Sequence, residues 1–291
     1  MQWISAEQWR RFAGEKTDAH RLGTGAGGWL DRYGDWVLWS GEGDAPQRLA
    51  ADLSSRFGFV PRGWLSRELA RDAVSQTPAN VVEGEDPGSL TVAEWGVAYR
   101  VQPAGGYSTG LFLDQRLNRK WVLGLRPRRT LNLFAFTGSF SACAALGGGK
   151  TLSVDAAKRA LSRARDNFAV NGIDTADGHR FVADDAMKIV PRLARRGETF
   201  DLVVLDPPTF GRSGGSVFKI ADHLPDLLRA CFGLVAPRGH LLVACNYAAW
   251  SSGDLCALCE ESLRGEKFAL VAGESPPEIP GGAVSWRIGR T

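Results

Sequence analysis

Thr130–Ser141 reads TLNLFAFTGSFS, and the fold turns on how this stretch is understood. The apolar run Leu131-Asn132-Leu133-Phe134-Ala135-Phe136 stops at Thr137-Gly138-Ser139, and the small residues 140–146 continue as a helix. A buried strand, a tight turn and a helix start together open a nucleotide-binding α/β unit. Fourteen residues past Ser141, the run Thr151–Asp155 ends in a carboxylate. In such units an acid at the end of the second strand accepts hydrogen bonds from both ribose hydroxyls of an adenosine.

Outward from this point the alternation persists. Strand 130–136 precedes helix 139–146, strand 151–155 precedes helix 157–171, and strand 179–183 precedes helix 185–196. Strand 200–205 runs into Asp206-Pro207-Pro208-Thr209-Phe210, helix 221–235 precedes strand 240–245, and helix 253–264 precedes strands near 268–273 and 283–289. Apolar strands alternating with helices predict a mostly parallel sheet of seven strands, its last reversed, with helices on both faces.

The first 90 residues have another texture. Trp3, Trp9, Trp29, Trp36, Trp39 and Trp64 all lie there, and 29–33 with 36–39 reads as an aromatic hairpin around Gly34-Asp35. Helices are expected at 49–57 and 64–73, giving a small α+β module. The tryptophans suit either a base-stacking platform or a core, and the core is favoured because large aromatics are usually buried. Gly23, Gly25 and Gly28 match G-x-G-x-x-G without the strand and helix that motif needs, so they read as a loop. Residues 79–90 read as a linker. Residues 91–100 and 111–114 read as strands of a long hairpin around 105–110, followed by a helix at 115–120 capped by Asp114.

Of 291 residues, 44% are hydrophobic and 23% charged, which excludes a globally disordered chain. A net charge of +3 permits a nucleic-acid partner without demanding one. The start, MQWISAEQWRRF, lacks an apolar core for export, and no apolar run is long enough to span a bilayer. Five cysteines, none before residue 143, suit a reduced compartment. A cytoplasmic protein with no membrane association is expected.

Four strand ends carry polar groups: the 136–139 turn, Asp155, Asp184-Asp185, and Asp206 with Pro207 and Pro208. Ligands of such sheets bind beyond the carboxyl ends of the strands. One glycine at the first turn is too few for close approach of a pyrophosphate, so a ligand without phosphates is favoured, and S-adenosylmethionine fits.

These motifs, with residues 153–172, 200–212 and 239–246, resemble in order and spacing the class I S-adenosylmethionine-dependent methyltransferases. The nearest likeness is to bacterial large-subunit rRNA methyltransferases that include cytosine-C5 enzymes. Glu94-Trp95-Gly96, residues 99–101 and Thr109–Arg116 are similar to that family's hairpin and T-G-x-x-x-D-Q-R signature. The likeness spans roughly residues 90–291 and implies a Rossmann-like domain at 91–291 behind the 1–90 module.

By that resemblance Phe134, Phe136, Thr137 and Gly138 line the methionine part of the cofactor, with Asn132 steadying the turn. Asp155 and Ala156 meet the ribose, and Asp184 and Asp185 the adenine. Gln115, Arg116, Asp206 and Pro207 complete the cofactor site, and Asp206 is also the catalytic acid, facing the transferable methyl and the substrate. Pro208, Phe210, Arg212 and Lys219 face an RNA substrate, rRNA above all, with residues 211–215 as a mobile substrate loop. Methylation at cytosine C5 requires a cysteine that adds at C6. Cys245 falls in the right region, but Ala244-Cys245-Asn246 departs from the family's pattern, and a buried structural cysteine is the competing reading. Amine methylation, with Phe210 stacking on the base, is the alternative chemistry. A cofactor-binding RNA assembly factor without catalysis is the alternative class. Cys256-x-x-Cys259 lacks a second ligand pair and reads as one helix face, so no metal is expected.

Overall fold

The computed structural model describes residues 1–42, 46–68, 79–105, 108–213 and 216–291, with the side chains of 46–48, 212–213 and 216–217 set aside. The chain divides into two compact units, Met1–Leu113 with Pro277–Pro280 and Asp114–Pro276 with Gly281–Thr291. The first unit thus extends past residue 90 and takes in the hairpin that follows.

In the first unit the elements are β1 (Gln2–Trp3), α1 (Ala6–Gly14), β2 (Ala19–Gly25), β3 (Gly28–Tyr33), β4 (Trp36–Gly41), α2 (Pro46–Phe57), β5 (Gly63–Arg67), β6 (Asn80–Glu83), β7 (Leu90–Glu94) and β8 (Val97–Val101). Strands β1 to β6 form one sheet in chain order, antiparallel except that β4 and β5 run parallel across α2. Trp36, Trp39 and Trp64 are buried, so these three are core residues. Trp9 and Phe57 stack at 5.0 Å at the edge of the same core.

Several expectations are corrected here. Residues 63–67 are strand β5 instead of a helix, because Gly63, Trp64 and Leu65 pair with the buried strand β4, and tertiary pairing overrides the short apolar run. The rest of that expected helix, 69–73, lies outside the described residues. Gly23 and Gly25 belong to β2 and Gly28 opens β3, where φ of 151° and a backbone contact with Ser40 leave no room for a Cβ. Within the expected linker, residues 80–83 pair with β5 as a strand. The long hairpin is a tight one, β7 and β8, because Trp95 (φ 49°) and Gly96 (φ 78°) turn left-handed between them. Residues 111–114 are not a strand; a short 3-10 turn occupies Leu113–Gln115. Gly106 and Tyr107 lie outside the described residues.

The second unit comprises α3 (Arg116–Leu125), β9 (Arg129–Leu133), α4 (Ser139–Leu146), β10 (Lys150–Asp155), α5 (Lys158–Val170), β11 (Arg180–Ala183), α6 (Ala186–Arg195), β12 (Phe200–Leu205), β13 (Phe210–Ser213), β14 (Ser216–Lys219), α7 (Ile220–Phe232), β15 (Val235–Cys245), α8 (Ser252–Ser262), β16 (Phe268–Ala272) and β17 (Val284–Arg290). Its sheet has seven strands in the order β11-β10-β9-β12-β15-β17-β16. The first five are parallel, and β17 runs antiparallel to both of its neighbours. The reversed last strand is as expected. The central strands are apolar on both faces: Leu131, Leu133, Val203, Val204 and Leu205 are fully buried, each side chain contributing roughly 1.5–3 kcal/mol. The chain leaves β9 toward β10 on one side, while β12 joins it on the other. This is the switch point where open sheets bind ligands.

Two further corrections concern this unit. The N-cap of α3 is Gln115, without a side-chain cap bond, while the Asp114 carboxylate accepts from Ala283 N at 3.1 Å. Residues 210–213 and 216–219 form the antiparallel hairpin β13–β14 rather than a loop, with Gly214 and Gly215 outside the described residues. Among the described residues no helix is long and apolar enough to cross a membrane.

Candidate active site

The polar residues singled out in the sequence collect at the carboxyl edge of the second sheet. Register places Leu133 beside Val154 and Leu205, Asp155 beside Ala183, and Leu205 beside Val243. The β9 turn, Asp155, Asp184 and Asp206 therefore leave the sheet at one level.

After β9 the backbone is left-handed at Phe134 (φ 52°), Phe136 (φ 48°) and Gly138 (φ 67°). Two bulky residues in this region store strain, which persists only where surrounding structure fixes it. The fixing contacts are specific. The Asp155 carboxylate accepts Phe136 N–H at 2.8 Å with one oxygen and Ala157 N–H at 2.8 Å with the other. Asn167 of α5 donates to Thr137 O at 2.7 Å. Beneath the turn, buried Asn132 donates to Ser141 Oγ at 2.9 Å, which in turn meets Ser153 Oγ at 2.8 Å. Gly138 packs so closely on Ala164 that a Cβ would lie 2.8 Å from that methyl.

Around this turn the acids are differently employed. Asp184 accepts from Asp185 N and forms an ion pair with Arg192 at 2.5 Å. Asp185 is the N-cap of α6, accepting from Met187 N at 2.9 Å. Ala156 is exposed beside Asp155. Asp206 accepts from Gln115 Nε2 at 3.2 Å, and burial, reinforced by nearby Asp114 and opposed by Arg119, pushes its carboxyl up to about 7. Arg116 is buried in α3.

Pro207 is buried, and Pro208, Thr209 and Phe210 emerge at the surface, the phenyl ring 51% exposed. Lys219 lies across β13–β14 from Phe210 and is exposed. Arg212 sits on β13, its side chain outside the described residues. Phe218 anchors the hairpin against Phe134 at 5.3 Å, and the His223 ring stacks on Phe218. Cys245 ends β15 and is 1% exposed; its Sγ accepts from Tyr247 N at 3.3 Å. Burial, with Asp206 nearby, pushes its thiol up to about 11. Cys256 and Cys259 lie on α8, and no metal-holding group of side chains occurs among the described residues.

The donor set suits a ligand rich in hydrogen-bond donors. A carboxylate has about four acceptor positions, so Asp155 keeps capacity for ribose hydroxyls after holding two backbone N–H groups. A pyrophosphate at the same edge would meet the carboxylates of three strand ends. Motif reading missed Asn118 and Ser285, which support Gln115. Asn118 stands one helical turn beyond Gln115 in the sequence, but nothing marked Ser285.

The sheet order, the reversed β17 and this acidic crevice define a class I methyltransferase fold. Residues 69–285 match the family described as S-adenosylmethionine-dependent methyltransferase, and the chain belongs to that family. S-adenosylmethionine is the family's cofactor. The chain is 31% identical over 255 residues to ribosomal RNA large subunit methyltransferase I of Klebsiella pneumoniae, covering 81% of this chain and 63% of that protein. It is 37% identical over 165 residues to the protein of the same name from Aeromonas salmonicida, covering 56% and 41%. The chain spans about half the length of the curated relatives it matches. Among solved structures, SMU.776 complexed with SAH is similar, with a TM-score of 0.80, 26% identity and coverage of 97% of this chain and 78% of that one.

Proposed function

We propose that this chain transfers a methyl group to a base of ribosomal RNA, with cytosine C5 as the acceptor atom. The names of the relatives support the RNA class. The observation that carries the reading is that Asp206 directly follows β12 while Cys245 ends the neighbouring strand β15, with the Asp206 charge adding to burial in raising the thiol. When bound, S-adenosylmethionine supplies an electrophilic methyl group.

In this reading the β9 turn and Asp155 hold the cofactor, Asp184 and Asp185 border the adenine, and Gln115 and Arg116 close over it. Phe210 stacks on the base, while Lys219 and Arg212 meet phosphates. Cys245 gives its proton to the Asp206 carboxylate as its sulfur bonds C6, and C5 then takes the methyl. Asp206 passes the first proton to solvent and takes the one from C5; the C6–S bond breaks and the thiolate departs.

The high value of the Cys245 thiol favours a second reading, methylation of an amine, which needs no thiolate. RNA bearing 5-fluorocytosine separates the two. A covalent adduct that requires Cys245 supports C5 chemistry, whereas undiminished transfer by both Cys245→Ala and Cys245→Ser overturns it. Mass-spectrometric comparison of rRNA from cells with and without the gene identifies the nucleotide, and no difference overturns the rRNA assignment.

A further inference from the structure

Gln115 occupies the N-cap of α3, where a polar side chain ordinarily turns back to a helix N–H, yet it makes no such bond. Its amide is held instead by a buried relay. Asn118 Nδ2 donates to Gln115 Oε1 at 2.7 Å and lies 3.0 Å from Ser285 Oγ, which also reaches Asn118 Oδ1 at 3.2 Å. Gln115, Asn118 and Ser285 are each no more than 3% exposed. Gly273 contributes by having no side chain: a Cβ there would strike Ser285 Oγ and approach Asn118 Oδ1 to 3.1 Å.

The chemistry of the amides gives this relay a direction. Asn118 offers donors to Gln115, so Gln115 must turn its oxygen toward Asn118 and its NH2 toward Asp206. Turned the other way, Gln115 would present an oxygen to the ionised carboxylate and repel it. We propose that Asn118 and Ser285 are positioning residues for the reaction: they lock the Gln115 amide so that its NH2 holds one Asp206 oxygen and leaves the other to accept a proton. This rests on the proposed methyl transfer with Asp206 as the proton acceptor. A donor hydrogen bond stabilises the ionised carboxylate, so the relay offsets part of the burial that keeps Asp206 protonated.

The test follows the Asp206 carboxyl directly by carbon-13 NMR, assigned with Asp206→Asn, in the full chain. Methyl-transfer kinetics and SAH calorimetry run alongside. Asn118→Leu and Ser285→Ala are expected to raise the Asp206 midpoint, by up to about one pH unit. They are expected to lower kcat about tenfold while leaving the KM for S-adenosylmethionine and the SAH affinity in place. Ser285→Thr, which keeps the hydroxyl, retains the wild-type midpoint. An unmoved midpoint in a variant that still binds SAH overturns the relay, and Ser285→Ala decides the matter if Asn118→Leu does not fold. A midpoint that moves in a protein transferring no methyl to RNA overturns the proposed function and leaves the relay standing.

Discussion

Asp155 and Phe136 are joined by a 2.8 Å hydrogen bond from the Phe136 amide to the Asp155 carboxylate, bridging the ends of two adjacent parallel strands. The acid expected to hold the ribose therefore also holds the strained turn in shape. Asp155→Ala removes both functions at once. Calorimetry with SAH is expected to show affinity lowered about ten- to a hundredfold, because each charge-assisted bond contributes about 1.5–3 kcal/mol. Unaltered affinity would refute the assignment of Asp155 to the cofactor.

Gly138 is required by conformation and by space. With φ at 67° and Ala164 in the way, Gly138→Ala is expected to cost about 1–3 kcal/mol in urea unfolding. Gly124 in α3 is the contrasting case, exposed and with open space around its Cα. Gly124→Ala is expected to stabilise by about 0.5–1 kcal/mol. Equal effects at the two sites would contradict the turn geometry.

Asp206 makes the protein's stability and activity respond to pH in opposite directions. Folded, it keeps its proton to about pH 7, whereas the unfolded chain releases it near pH 4. Between those values the native state binds more protons. The stabilisation from the neutral carboxyl, full below about pH 4, is therefore lost as pH rises through about 7 and amounts to a few kcal/mol, roughly. Asp206→Asn should flatten this part of the stability curve. The same ionisation supplies the base, so kcat is expected to rise through about pH 7 in the wild type; a flat profile there would remove Asp206 as proton acceptor.

All five cysteines are free thiols, and Cys143, Cys231, Cys245 and Cys259 are buried. Ellman titration at pH 8 is expected to show Cys256 reacting first and the other four only on unfolding. Fast modification of Cys245 in the native protein would show its thiol to be far more available than its burial implies.

The second unit was legible from the sequence because parallel strands buried on both faces are almost continuous apolar runs, as in Leu131–Leu133 and Phe200–Leu205, although the strand read on to Phe136 ends at Leu133, where the left-handed turn begins. Their ends were legible too, since Asp155, Asp184 and Asp206 interrupt apolar runs abruptly. The first unit was less so. Trp64-Leu65 is too short a run to distinguish strand from helix, and its partner β4 is remote in sequence. Trp95 was read through because a tryptophan seldom adopts the left-handed turn it occupies here. Polar bonds between segments remote in sequence, such as Asn118–Ser285, leave no local pattern at all, being set only by where α3 and β17 pack.

Strand β17, inserted between β15 and β16, carries a consequence for the order of folding. Among the described residues strand β16 pairs only with β17, so neighbours in sequence can form this hairpin locally and early, while its docking on β15 joins more distant segments. The docking step delivers Ser285 to Asn118. Ile288 pairs with Leu241 across this late β15–β17 seam, so Ile288→Val is expected to change the unfolding rate more than the folding rate, whereas Leu131→Ala and Val203→Ala in the central strands slow folding.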